Sequence, residues 1–116
     1  MASVVKSLRA LSDPTRLRLL LLLMEEELTV AELQEILGMG QSRISASLAL
    51  LKREELVSDR RVGKNIFYSG LGTTLEALLP VLEAAREEMP EASRDHTALA
   101  LALREEDPDT LFFNRR

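Results

Sequence analysis

The stretch "MGQSRISASLALLKREELV" (residues 39–57) is two-sided in a way that decides the fold. At 100° per residue, Ile44, Leu48 and Leu51 share one face of a helix, with Ser47 beside them. The opposite face gathers Ser42, Ser45, Ala46, Ala49 and Arg53, and Gln41 and Arg43 flank the first turn. The outer face of a surface helix normally carries long charged side chains. Small, nearly uncharged ones suit a helix that must approach another surface closely. Just upstream, "LTVAELQEILG" (28–38) reads as a shorter helix. Thr29 and Glu32 have capping-box spacing, Gly38 is a helix-ending residue, and Val30, Leu33, Ile36 and Leu37 point inward. Two short helices joined by a tight glycine-containing turn form a helix-turn-helix. The second helix of such a pair enters the major groove of DNA by its N-terminal residues, where small side chains admit base edges and a few polar groups read them.

The residues that follow extend this reading. "LVSDRRVGKNIFYSG" (56–70) holds two β-prone runs around Val62-Gly63-Lys64-Asn65, a hairpin turn, with Ile66 and Tyr68 on one face of the second strand. Arg60, Arg61 and Lys64 cluster toward its tip, within reach of phosphates. A helix-turn-helix followed by a basic hairpin is a winged helix.

Outward from this unit the chain reads as helix. Ser3 caps a first helix carrying Val4, Val5, Leu8 and Leu11, and Asp13-Pro14 opens a second that runs to about Met24. The second helix is apolar nearly all round and should be the buried spine. After Gly72, a helix from Thr74 to Met89 shows two stripes, Leu75-Leu79-Leu82 and Leu78-Val81-Ala85-Met89, with Pro80 inside as a potential kink. One stripe can cover the core and the other a partner. A dimer face is therefore expected from Val4, Leu8 and Leu11 with Leu75, Leu78 and Leu82. "HTALALALREEDPDTLFFNRR" (96–116) favours helix through its alanines, although its alternating leucines leave strand open. The expected fold is mainly α, in the order α-α-α-α-β-β-α plus a C-terminal helical extension. A winged-helix and dimerisation domain would span residues 1–89, and the extension residues 90–116.

Composition narrows the function classes. The 116 residues carry a net charge of −4, yet residues 40–68 hold six basic and three acidic residues, a local excess of +3. An acidic body with a basic segment can bind a polyanion locally. With no cysteine and a single histidine, His96, thiolate chemistry is excluded and no metal site is expected. No glycine-rich phosphate loop or catalytic cluster stands out, so an enzyme is not expected. The leucine run at 19–23 is too short to span a bilayer and the N-terminus does not read as a cleaved signal, so a cytoplasmic protein with no membrane association is expected.

The residues also carry a family resemblance. "LRALSDPTRLRLLLLL", "LTVAELQEILGMGQSRISASLALLKREELV" and "RRVGKNIFYS" resemble the opening, recognition unit and wing of ArsR-family bacterial regulators, over about residues 5–70. The resemblance implies a homodimeric winged-helix repressor, paired through its first and last helices and released from operator DNA by a ligand. By position, Gln41, Ser42, Arg43 and Ser45 match the family's groove-entering residues. The family often carries serine where this chain has Gly40, arginine or lysine near Ala46, histidine at Ser47 and lysine at Ala49. These departures imply modest base specificity or heavier reliance on the wing and on DNA shape. The metal-sensing branch places cysteines in the third helix, and "ELQEIL" has none. "LFFNRR" resembles the start of the connector to an S-adenosylmethionine-dependent methyltransferase in fused relatives, which points to a related metabolite as effector.

The expected DNA-contacting set is therefore Gln41, Ser42, Arg43, Ser45, Ala46, Arg53, Arg60, Arg61 and Lys64. The expected partners are double-stranded operator DNA, a second copy of the chain and a small organic effector of the S-adenosyl type. No cofactor is expected. The alternative is a winged-helix interaction or regulatory module, such as one associated with a methyltransferase, that does not act mainly through DNA.

Overall fold

Leu19, Leu20, Leu21, Leu22 and Leu23 are five consecutive buried side chains, and the architecture is built around them. In the computed structural model, which describes residues 3–105, they lie on α2 (Pro14–Glu25). The other elements are α1 (Val4–Leu11), α3 (Val30–Leu37), α4 (Gln41–Arg53), β1 (Val57–Val62), β2 (Asn65–Gly70), α5 (Thr73–Glu88) and α6 (Pro90–Glu105). Helix α2 packs against α1, α4, α6 and β2, so its Leu19–Leu23 stretch leaves no face to water. Each leucine buried in this way contributes roughly 1.5–3 kcal/mol. The "DPTR" start is set by chemistry that stops and restarts the chain: the Asp13 carboxylate accepts from the Arg16 amide at 3.0 Å, and Pro14 supplies the first helical residue.

The hairpin is antiparallel, with Val62 paired to Asn65 across Gly63-Lys64. Gly63 has φ 61°, while Lys64 is not among the positive-φ residues, the pattern of a type II′ turn. Leu28 and Tyr68 exchange backbone hydrogen bonds of 3.0 and 2.9 Å, adding a one-residue third strand that ties the segment before α3 to the wing. Ile66 and Tyr68 share a strand face as expected, but the fully buried side chain of β2 is Phe67 on the other face.

Four residues expected in a dimer face are instead core. Val4 and Leu8 are exposed, but Leu11, Leu75, Leu78 and Leu82 are buried within their own chain. Residues 75, 78 and 82 fall within about 60° of arc on one helix, so the domain core takes them together and the two-stripe division does not hold. On these two helices the large apolar residues left outward are Leu79 and Val81 of α5, and Val5 beside Val4 and Leu8 of α1. Pro80 lies inside α5 without ending it.

The described part of the C-terminal run, residues 96–105, is helical and belongs to α6, which starts at Pro90. The expected division at residue 89 falls between α5 and α6, and α6 contributes Ala92 and Leu99 to the same core as α2. Its Asp95, 4% exposed, accepts two hydrogen bonds of 2.8 Å from the Arg18 guanidinium of α2. The hydrogen bond to Asp95 raises the Arg18 pKa. The "LFFNRR" segment lies outside the described residues, and so does the rest of 106–116. If α6 is integral to the fold, Asp95→Asn leaves a half-sheltered arginine without its counter-charge. It should lower unfolding free energy by about 2 kcal/mol, measured in urea, without splitting the transition into two.

Candidate nucleic-acid interface

Helix α3 ends in a left-handed Gly38 (φ 67°), and α4 restarts at Gly40 after one intervening residue. The capping box is complete: the Glu32 carboxylate accepts from the Thr29 amide at 2.9 Å, and the Thr29 hydroxyl accepts from the Glu32 amide at 3.2 Å. Ile44, Leu48 and Leu51 are at most 1% exposed and fasten α4 to the core. The outward face is then fixed. Gln41, Ser42, Arg43, Ala46, Ala49 and Arg53 are all exposed, and Ser45 is half-buried at the edge. Ser42, Ala46, Ala49 and Arg53 form one ridge, at helical positions i, i+4, i+7 and i+11. Because Gly40 has no side chain, the first-turn amides of α4 carry no side-chain cap. A helix N-terminus of this kind favours anions.

The basic residues divide sharply. An Arg43 terminal nitrogen donates to the buried Thr15 hydroxyl of α2 at 2.5 Å, so part of its fork braces the recognition turn against the core. Arg60, expected at the phosphates, donates two hydrogen bonds of 2.7 Å to the Glu27 carboxylate. Its guanidinium also lies 5.4 Å from the centre of the Phe67 ring. Arg60 is therefore a lid on the wing's core residue, set by the Arg60–Phe67 pairing of the hairpin register. Lys52 donates to Asp59 at 2.8 Å, and that bond raises its pKa. Arg53 stands 3.7 Å from Glu54 with its side chain 72% exposed. Arg61 and Lys64 are exposed at the hairpin tip, as expected.

Thr15, Glu27 and Phe67 were missed as parts of the site. Arg60 opposite Phe67 follows from a two-residue turn at Gly63-Lys64 and was legible; Thr15 and Glu27 come from distant segments with no local signal. Among the described residues, no group of three or more histidine, cysteine or acidic side chains is placed to hold a metal. His96 is paired through Nδ1 with Glu25 at 2.6 Å.

With this geometry in hand, the likeness to known proteins is specific. Residues 13–59, from the start of α2 into β1, match the family model of the bacterial regulatory protein, arsR family. The transcriptional activator HlyU of Vibrio cholerae is 36% identical over 81 residues, which cover 70% of this chain and 75% of HlyU. The chain belongs to the ArsR family. The solved structure of HlyU from Vibrio cholerae superposes with a TM-score of 0.64 at 34% identity, covering 70% of this chain and 88% of HlyU. A possible ArsR-family regulator from Mycobacterium bovis, Mb0332, was solved as a homodimeric winged helix-turn-helix DNA-binding domain. It superposes with a TM-score of 0.64 at 30% identity, covering 75% and 81% of the two chains. The fold is thus a winged helix-turn-helix, and the chain is a transcriptional regulator by family and not an enzyme. Among the described residues, no helix is long and apolar enough to cross a membrane.

The two wing arginines should separate in a stability measurement. Arg60→Ala uncovers Phe67 and removes two hydrogen bonds from Glu27, so it should lower the melting temperature measurably. Arg61→Ala should leave stability within about 0.5 kcal/mol, as for an ordinary surface site. Differential scanning calorimetry of both variants checks this.

Proposed function

We propose that this ArsR-family chain is a sequence-specific DNA-binding regulator that acts as a homodimeric repressor and is released by a small-molecule effector. The carrying observation is the outward ridge of α4. Ser42, Ala46 and Ala49 present a surface that can sink between phosphate ridges, while Ile44, Leu48 and Leu51 hold the helix rigid behind it. In this reading Gln41, Ser42 and Ser45 read base edges, and Arg43 does so with the donors that Thr15 leaves free. The uncapped N-terminus of α4 takes a phosphate, and Arg61 and Lys64 of the wing contact the backbone or minor groove. Arg53, at the far end of the ridge, is a phosphate contact at the groove edge.

Selection from a random duplex pool should enrich a pseudo-palindrome with half-sites about 10 base pairs apart. On that duplex, Ala46→Glu should abolish binding through bulk and charge. Arg43→Ala should cost about 1–3 kcal/mol chiefly on the selected sequence. Arg61→Ala should weaken all duplexes alike and reduce the salt slope by about one per monomer. Normal binding by Ala46→Glu would overturn the proposal.

For assembly, the exposed residues Leu8 and Val81 flank a groove of about 120 Å³ between α1 and α5, floored by Leu11, Leu17, Leu78 and Leu82, and α1 also exposes Val4 and Val5. The proposed occupant is the same face of a second copy, a self-complementary arrangement. Sedimentation should give twice 13.0 kDa. Leu8→Asp with Val81→Asp should yield a folded monomer with strongly weakened operator binding.

The effector is proposed to be organic. The α1–α5 groove alone is smaller than the roughly 300 Å³ typical of ligand sites, so an S-adenosyl-type metabolite would need the partner's surface to complete its pocket. Zinc, cadmium and arsenite should leave DNA affinity unchanged; release by any of them at micromolar concentration would contradict this reading.

A further inference from the structure

Away from the base-reading turn, three helices meet around a cleft of about 360 Å³. Its rim carries Lys6 and Arg9 from α1, Arg16 from the first turn of α2, and Arg53 from the last turn of α4. Ala10 and Leu50 make the floor apolar, and Glu54 is the acid present. Four cations converge here in a chain whose net charge is −4.

The contrast with the other cations is informative. Arg18, Lys52 and Arg60 each have a carboxylate oxygen at 2.7–2.8 Å. In the cleft, the close carboxylate contact among the described residues is Glu54 to Arg53, at 3.7 Å. Arg16 is positioned differently: its Nε donates to the Ala10 carbonyl at 2.6 Å, which anchors the guanidinium at the inner end of the cleft. That bond uses Nε and leaves the two terminal nitrogens, the end of the fork that grips a tetrahedral oxyanion. Lys6 and Arg9 are three residues apart on one helix and so stand on the same side of the opening. Like charges held this close repel, and a bound polyanion turns that repulsion into attraction.

We propose that this cleft is a binding site for a phosphate-class anion, with Arg16 as the fixed ligand and Lys6, Arg9 and Arg53 closing over it. The phosphate belongs either to a free phosphorylated small molecule or to the backbone of a bound duplex. Arg53 lies about 15 Å along α4 from Arg43, so the site is distinct from the turn proposed to read bases. A free phosphorylated ligand there does not depend on that proposal, whereas a duplex phosphate rests on it, since Arg53 is shared with the α4 ridge and Arg9 is not.

The test uses pyrophosphate and DNA-free protein at constant ionic strength, followed by calorimetry and by the arginine Nε–H resonances. Saturable binding of one pyrophosphate per chain, with the Arg16 signal shifting, is expected. Arg9→Gln and Arg53→Gln should each weaken it about tenfold or more, the loss of a charge-assisted hydrogen bond. Arg61→Gln, on the wing, should not. All three side chains are exposed, so the variants should keep the wild-type melting temperature. A second arm measures duplex affinity against salt. If pyrophosphate does not bind but Arg9→Gln and Arg53→Gln each lower the salt slope by about one, the site stands and its phosphate is the duplex's. The proposal is overturned if pyrophosphate binds the doubly substituted protein as well as wild type, if Arg61→Gln weakens it equally, or if neither arm responds.

Discussion

Burial of α2 on every side is the constraint from which the rest of the structure follows. A helix bearing Leu19 through Leu23 exposes apolar surface whichever way it turns, so it must be enclosed by several elements at once. α1, α4, α6 and β2 are those elements, and their positions around α2 set the orientation of the recognition helix and the wing. Ile44, Leu48 and Leu51 give α4 its inner face, and the ridge of small residues faces out because the leucines face in. α6 is held to the same spine by the Arg18–Asp95 pair, so the C-terminal helix supports the DNA-binding unit mechanically.

Electrostatics refine what packing has placed. The basic segment between Gly40 and Tyr68 is less basic in space than in sequence, because Glu27, from outside the segment, neutralises Arg60, while Lys52 is paired within it to Asp59. Among the described residues, the basic side chains with no ion pair include Arg61 and Lys64 at the wing tip, and Lys6, Arg9 and Arg16 in the cleft at the junction of α1, α2 and α4. Arg43 belongs to packing and, in the function proposed, to recognition. Its bond to Thr15 fixes the first turn of α4 to the start of α2 and lowers the freedom the side chain must give up on meeting a base.

The elements were legible in the sequence because each carries a local signal. The Asp13-Pro14 start, the Thr29–Glu32 box, Gly38 and the Gly63-Lys64 turn all act within four residues, and all appear as read. The assignment of faces was harder. Leu75, Leu78 and Leu82 read equally well as a partner surface or as core, because periodicity shows which residues lie together but not whether the chain's own core or another chain covers them. The roles of the arginines were least legible. Nothing near Arg60 in sequence announces Glu27, and nothing near Arg43 announces Thr15, since these pairs form only when segments 33 and 28 residues apart are brought together. Phe67 fell between the two cases: the hairpin register put it opposite Arg60, but its burial depended on the rest of the fold.

The central claim is that the N-terminal turn of α4 is the surface that meets duplex DNA. Amide resonances followed through a titration with a selected duplex test it most directly. The account predicts the largest shifts at Gln41 to Ala46, with smaller ones at Arg61 to Lys64 and little change in the inner half of α6. Shifts centred on α6, or none in α4 while binding saturates, would contradict it.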